Sequence, residues 1–79
     1  MSDVSQRVTR VTARELKIPE SSITAASTFV VDLGADSLAL TRLGMAFESE
    51  FGCTILDSDA ATINTVDEMV KYIEGRLAA

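Results

Sequence analysis

The sequence predicts an all-α fold, a small bundle of three main helices and one short helix with a long first loop. Three stretches place apolar residues at helical spacing, and no stretch alternates apolar and polar residues as a half-buried strand does. A chain of 79 residues forms a small core, so we expect a single domain over residues 1–79. Helices joined by loops in a chain of this length predict a bundle.

The first helix is predicted over residues 3–16, where Val4, Val8 and Val11 share one face. Pro19 ends this segment, because a proline pushes the residue before it to an extended conformation. The arginines of the segment fall on the opposite side, and we expect them to be solvated.

A loop follows over residues 17–35, and loops of this length in small domains are usually functional or anchored. Gly34 permits a sharp turn just ahead of the next helix. Four apolar residues predict that the loop is anchored in the core: Ile23, Phe29, Val30 and Leu33.

The second helix is predicted over residues 37–51, with Asp36 as its N-terminal cap and Gly52 as its C-terminal cap. Gly44 is unusual there, because glycine in a helix interior costs roughly 1 kcal/mol relative to alanine. It indicates either close helix packing or extra room in a cavity. The predicted buried stripe repeats at helical spacing and comprises Leu40, Leu43, Phe47 and Phe51.

The last part of the chain predicts one short helical turn over residues 57–61 and a final helix. Thr65 and Glu68 form a capping box that opens this final helix. Its buried face is predicted to comprise Val66, Met69, Val70, Ile73 and Leu77.

The composition disfavours several classes of function. The chain has no histidine, so the commonest general base and a common metal ligand are both missing. Its net charge of −5 argues against a nucleic-acid partner. We expect no membrane span and no signal peptide, because no apolar run is long enough. Cys53 is the only cysteine, which predicts no internal disulfide and a reducing cytoplasm.

The charge is unevenly distributed along the chain. Residues 32–68 hold eight acidic residues and a single basic one, Arg42. A field of one sign over half a small domain can steer basic partners towards it. Glu48 and Glu50 are expected to be exposed on the second helix, with Arg42.

The stretch DLGADSL, residues 32–38, stands where the long loop meets the second helix. The carboxylate of Asp36 can accept hydrogen bonds from the first helical turn. Ser37 then lies in that turn, near the positive end of the helix dipole, where a phosphate is electrostatically favoured.

This stretch, followed by an acidic helix, resembles the acyl carrier proteins, and the similarity extends over nearly the whole chain. The resemblance implies that Ser37, flanked by Asp36 and Leu38, is the attachment point of a phosphopantetheine arm. A separate phosphopantetheinyl transferase would donate the arm from coenzyme A, and the protein itself would not be an enzyme. The arm would carry acyl groups as thioesters between enzymes of fatty-acid or related lipid synthesis. A discrete carrier of polyketide, aminoacyl or aryl groups is the alternative.

The resemblance also implies a pocket and a docking surface on a monomeric carrier. The candidate acyl-pocket residues are Phe29, Val30, Phe47, Ile55, Ala60, Ile63, Val70 and Tyr72. Acyl-transferring and chain-elongating enzymes with basic patches would dock on Asp36, Arg42, Glu48, Glu50 and Asp57. Arg42 stands where the family is usually acidic, and Leu56 where it commonly has proline, which favours a specialised carrier over a housekeeping one.

Two hypotheses from other classes stay open. Asp57, Asp59 and Glu68 fall at positions 1, 3 and 12 of an EF-hand calcium loop. Ala61 and Thr62 break that pattern, and we predict no metal site. The other hypothesis is an interaction bundle whose serine is unmodified.

Overall fold

Four α-helices make up most of the computed structural model, which describes residues 3–78. The bundle has the predicted all-α architecture, with one short helix, and residues 3–78 contain no β-strand. A 3₁₀ turn, Glu20–Ser22, lies within the first loop. In the described range, no helix has the length and apolarity needed to cross a membrane. The helices are α1 (Asp3–Leu16), α2 (Ser37–Phe51), α3 (Asp57–Ala60) and α4 (Val66–Ala78).

The core lies where α1 packs against both α2 and α4. Val8 of α1, Phe47 of α2 and Ile73 of α4 are each at most 1% exposed. Phe29 of the first loop meets Phe47 edge to face, with ring centroids 6.5 Å apart and planes inclined by 62°. Aromatic pairs favour this arrangement because the positive edge of one ring meets the negative face of the other. The loop therefore contributes to the same core as the helices.

Both ends of α2 are capped as the sequence predicts. An Asp36 carboxylate oxygen accepts a hydrogen bond from the backbone N–H of Ala39 at 2.8 Å. At the other end, Gly52 has a φ of +65°, which a residue with a side chain rarely adopts. Its N–H donates to the carbonyl of Glu48 at 2.8 Å. These caps define the helix as residues 37–51.

The capping box of α4 is also confirmed. The Glu68 N–H donates to Thr65 Oγ1 at 3.1 Å, and the Thr65 N–H donates to Glu68 Oε1 at 3.0 Å. The same carboxylate oxygen accepts from the Asn64 N–H at 2.8 Å. These backbone donors favour the charged carboxylate and lower the pKa of Glu68 from its ordinary value of 4.5.

Backbone hydrogen bonds hold the first loop against the segment ahead of α4. The Phe29 N–H donates to the Asn64 carbonyl at 3.0 Å, and the Val66 N–H donates to the Ser27 carbonyl at 3.0 Å. Ile23 and Phe29 are buried, which confirms both as anchors of the loop. The loop is thus fixed at its middle as well as at its ends.

Three residues predicted in the core are exposed instead: Val30 at 54%, Leu40 at 38% and Leu77 at 47%. Periodicity identifies which face of a helix is apolar, but it does not show how far the neighbouring elements extend over that face. Leu77 lies in the last turn of α4, four residues beyond the fully buried Ile73. Val30 and Leu40 line a cavity that is described below.

Arg7 corrects the prediction that the arginines of α1 are simply solvated. Its Nε donates to Glu50 Oε2 at 2.9 Å, and its Nη2 donates to the Glu50 carbonyl at 2.8 Å. The guanidinium carbon also lies 4.5 Å from the ring centroid of Phe51. The hydrogen bond that Arg7 donates to the Glu50 carboxylate is the main reason that the pKa of Arg7 is raised. Arg7 therefore ties α1 to the end of α2.

The capping box gives a stability prediction. Replacement of Thr65 by alanine removes the acceptor for the Glu68 N–H, so we expect the free energy of unfolding to fall by about 1 kcal/mol. Thr54→Ala is the matched control, because Thr54 is an exposed threonine in the link between α2 and α3. Urea denaturation of both variants measures the difference. Equal stability of the two variants would contradict the role of the box.

The lowered pKa of Glu68 predicts a pH dependence. A carboxylate with a lowered folded pKa stabilises the protein above its unfolded pKa, and this stabilisation is lost as the pH falls through the folded pKa. We expect Glu68→Gln to be less stable than the wild type at pH 7. The difference should shrink as the pH falls from 4.5, the ordinary pKa, through the lower pKa of the folded protein, because the Glu68 side chain then becomes neutral like that of glutamine. Thermal denaturation from pH 7 to pH 3 tests this, and a difference that does not change with pH would refute it.

Candidate functional site

The last turn of the first loop is closed by a reciprocal pair of hydrogen bonds. The Thr28 N–H donates to Asp32 Oδ2 at 2.8 Å, and the Asp32 N–H donates to Thr28 Oγ1 at 3.0 Å. The Leu33 N–H also donates to the Thr28 carbonyl at 3.0 Å. These bonds give the loop a fixed shape just before the stretch that leads into α2.

Gly34 then redirects the chain. Its φ is +75°, a conformation in which a residue with a Cβ is strained. The next residue, Ala35, is 3% exposed, and its N–H donates to the Phe29 carbonyl at 2.9 Å. The chain therefore enters α2 from a buried, hydrogen-bonded alanine, and Asp36 caps the helix immediately afterwards.

Ser37 is the first residue of α2 and is exposed. Its position at the helix N-terminus favours negative charge nearby, as in phosphate-binding helix ends. Within residues 3–78, no side chain forms a hydrogen bond with the Ser37 hydroxyl, and the sequence contains no histidine. A serine whose hydroxyl is not hydrogen-bonded to a base is a weak nucleophile.

An apolar cavity with a volume of about 680 Å³ begins one helical turn from Ser37, at Leu40 and Thr41. Its volume lies within the range of roughly 300–1,000 Å³ that is typical of ligand pockets. The first loop, α2, α3, the segments that flank α3 and the first turn of α4 form its walls. Its apolar lining comprises Phe29, Val30, Val31, Leu40, Leu43, Gly44, Met45, Phe47, Ile55, Ala60, Ala61, Ile63 and Met69.

The structure brings six of the eight candidate pocket residues to this cavity and leaves two outside it. Val70 lines a different hollow, between α1, the first loop and α4. Tyr72 is directed to α3, where its hydroxyl donates to Asp59 Oδ2 at 2.8 Å. Burial and this hydrogen bond raise the pKa of Tyr72. The six that line the cavity are Phe29, Val30, Phe47, Ile55, Ala60 and Ile63.

The sequence-based prediction of the pocket did not include several residues that line the cavity. For some of them, helical spacing in the sequence indicates the correct position. Leu40, Gly44 and Phe47 follow one another at i, i+4 and i+7, so they share one face of α2. Periodicity could therefore have grouped Leu40 and Gly44 with Phe47. On α4, Met69 lines the cavity and the adjacent Val70 does not, because successive residues of a helix point in directions about 100° apart.

The space next to the Gly44 Cα is open, so close helix packing does not explain why a glycine stands at this position. A Cβ built on Gly44 would meet no atom within 4 Å outside its own helical turn. Gly44 also lines the cavity. Of the two interpretations of this glycine, the structure supports extra cavity space.

The five candidate docking residues do not form one surface of free charges. Asp36, Arg42 and Asp57 are exposed, whereas Glu48 and Glu50 are partly buried, contrary to prediction. Glu48 Oε2 accepts from the Ile55 N–H at 2.8 Å, and Glu50 is bound by Arg7. Both glutamates therefore serve the fold, and their charges are less available to a partner.

The carboxylates of the calcium hypothesis serve other purposes. Asp59 accepts from the Tyr72 hydroxyl, and Glu68 caps α4. In the described part of the chain, no three Asp, Glu, Cys or His side chains lie close enough together to hold a metal ion.

The site fits a phosphate-linked arm on three counts: an exposed serine hydroxyl, a capped helix N-terminus and an adjacent apolar cavity. The sequence model of the family described as phosphopantetheine attachment site matches residues 6–73, most of the chain, including the first loop and α2. The chain therefore belongs to this family of acyl carrier-type proteins and carries phosphopantetheine as a covalently attached group.

Proposed function

We propose that this carrier holds phosphopantetheine on Ser37 Oγ and moves fatty-acyl groups between enzymes of lipid synthesis. The observation that supports this best is the exposed Ser37 hydroxyl at the capped start of α2, beside an apolar cavity. The bound group supplies a thiol that holds acyl groups as thioesters. The chain itself positions the arm and buries the acyl group, and it does not catalyse a reaction.

The residues around Ser37 suit it to modification by another enzyme. Gly34 and Ala35 fix the direction in which α2 begins, and the Asp36 cap prevents its first turn from fraying. The serine oxygen bonds to the phosphorus that carries the pantetheine of coenzyme A, the phosphoanhydride bond from that phosphorus to the nucleotide breaks, and the nucleotide leaves with the other phosphate. Because no side chain of residues 3–78 forms a hydrogen bond with the Ser37 hydroxyl, we assign removal of its proton to the phosphopantetheinyl transferase.

The cavity favours an apolar cargo. Burial of an acyl chain there would stabilise it by roughly 0.8 kcal/mol per methylene relative to water. The walls are formed mainly by aliphatic and aromatic side chains, with Phe29 and Phe47 among them. A charged aminoacyl group would lose its hydration against these walls, where aliphatic and aromatic side chains outnumber the two carboxylates, Glu48 and Asp57. Fatty-acyl groups therefore fit better than aminoacyl groups.

We further propose that the carrier works as a monomer in the cytoplasm. Cys53 is the only cysteine and is free, as is normal in a reducing compartment. The proposed partners are the transferase and the enzymes that load, elongate and remove acyl chains.

Ser37→Ala is the direct test of the attachment point. We expect the wild type to gain the mass of one phosphopantetheine when it is incubated with coenzyme A and a phosphopantetheinyl transferase. Ser37→Ala should gain none, because it lacks the oxygen that forms the phosphoester. Ser49→Ala is the control, since Ser49 is exposed on the same helix. Intact-protein mass spectrometry measures all three, and a modified Ser37→Ala protein would refute the assignment.

Gly44→Leu tests the cavity as the cargo site. We expect leucine to raise the stability of the unacylated protein by roughly 0.5–1 kcal/mol through its higher helix propensity. Its side chain should fill the space that an acyl chain needs, so octanoylation of the arm should no longer raise the melting temperature.

Gly75→Leu is the matched control for this test. Gly75 also lies in a helix with open space at its Cβ, but it does not line the cavity. Gly75→Leu and the wild type should both be stabilised by octanoylation. An equal gain in the Gly44→Leu protein would show that the chain is held elsewhere.

A further inference from the structure

We propose that the enzymes acting on the arm dock on an exposed stripe of α2 through a patch that is mainly apolar and presents a carboxylate to Arg42. The α2 stripe consists of Leu38, Thr41, Arg42 and Met45, which fall at i, i+3, i+4 and i+7 on one face of the helix. This inference rests on the proposed function, because it takes Ser37 as the attachment point.

The stripe is exposed and adjoins Ser37. Leu38 and Met45 are each 64% exposed, although both are large apolar side chains. Leu38 directly follows Ser37, and Met45 lines the cavity together with Val31, which is 85% exposed. Two large apolar side chains that are exposed on one face of a helix, on a small soluble protein, are typical of an interaction surface. Any enzyme that reaches the arm must approach this end of α2.

The free charge on the stripe is positive, although the chain as a whole is acidic. The two glutamates of α2 are held within the molecule, Glu48 by the Ile55 N–H and Glu50 by Arg7. Arg42 is exposed, and among residues 3–78 no carboxylate lies within ion-pair distance of it. A basic partner patch would meet Arg42 as a like charge. A carboxylate would pair with it, so the charges of the stripe select an acidic group.

An enzyme accounts for the stripe better than a second copy of the chain does. In a two-fold symmetric dimer centred on the stripe, the two Arg42 side chains would approach each other. Such a dimer would also cover the helix end that carries Ser37. A transient enzyme contact avoids both costs, because it forms only when the arm is being used.

The experiment measures the rate at which the phosphopantetheinyl transferase of the host modifies charge variants of the chain. Arg42→Glu should lower kcat/KM by about tenfold, mainly through KM, because attraction to the carboxylate of the transferase becomes repulsion. Arg42→Gln should give a smaller loss, and Met45→Ser should lower kcat/KM through the lost apolar contact. Circular dichroism should show unchanged folding, since both positions are exposed.

Arg10→Glu is the matched control. It changes the net charge by the same amount, and Arg10 is exposed on α1 and does not line the cavity. We expect its kcat/KM to stay within about twofold of the wild type, because a charge far from the docking face acts only through the screened long-range field. The contrast between Arg42→Glu and Arg10→Glu separates local pairing from the effect of net charge.

Three results would overturn the proposal. The first is a kcat/KM of Arg42→Glu that equals or exceeds that of the wild type, as a basic docking patch requires. The second is an unchanged rate in both Met45→Ser and Arg42→Gln. The third is a wild-type dimer in sedimentation that Met45→Ser dissociates, which would assign the stripe to a second copy. Different results would refute the proposed function itself. They are the absence of phosphopantetheine transfer to the wild type, or phosphopantetheine transfer to Ser37→Ala.

Discussion

The pairing of the first loop with the segment ahead of α4 is the constraint on which the site depends. The bonds from the Phe29 N–H to Asn64 and from the Val66 N–H to Ser27 fix the middle of a loop that would otherwise span the distance between α1 and α2 freely. Only a short stretch then remains before α2, and Gly34 sets its direction. The same junction contains the capping box of α4, so one local structure fixes the start of a helix and the path of the loop.

Much of this fold could be predicted from the sequence because its signals are local. The caps at Asp36, Gly52 and Thr65 depend on residues within one helical turn, and each is found where the sequence places it. The prediction that Ser37 is the attachment point rests in the same way on the pattern of its immediate neighbours. A cap or a turn needs no knowledge of the remaining chain, so sequence patterns predict such features well.

The features that could not be predicted depend on contacts between distant parts of the chain. Arg7 and Glu50 are 43 residues apart, and nothing in their local sequence indicates that they pair. The exposure of Leu40 results from an opening between α2 and the loop, which periodicity cannot describe. Tyr72 was assigned to the pocket by the family resemblance, whereas its hydroxyl directs it to Asp59. Long-range packing therefore determines which apolar residues of a helix are buried in the core and which line the cavity.

The hydrogen bond between Tyr72 and Asp59 has a consequence for how the cavity wall moves. Helix α3 has only four residues and no side-chain cap at its N-terminus, yet Ala60 in this helix and Ala61 just after it line the cavity. A segment held by so few bonds opens at a free energy far below that of global unfolding. The cavity thus has one soft wall beside a rigid core of α1, α2 and α4, and its volume can change while the helix that bears Ser37 stays in place.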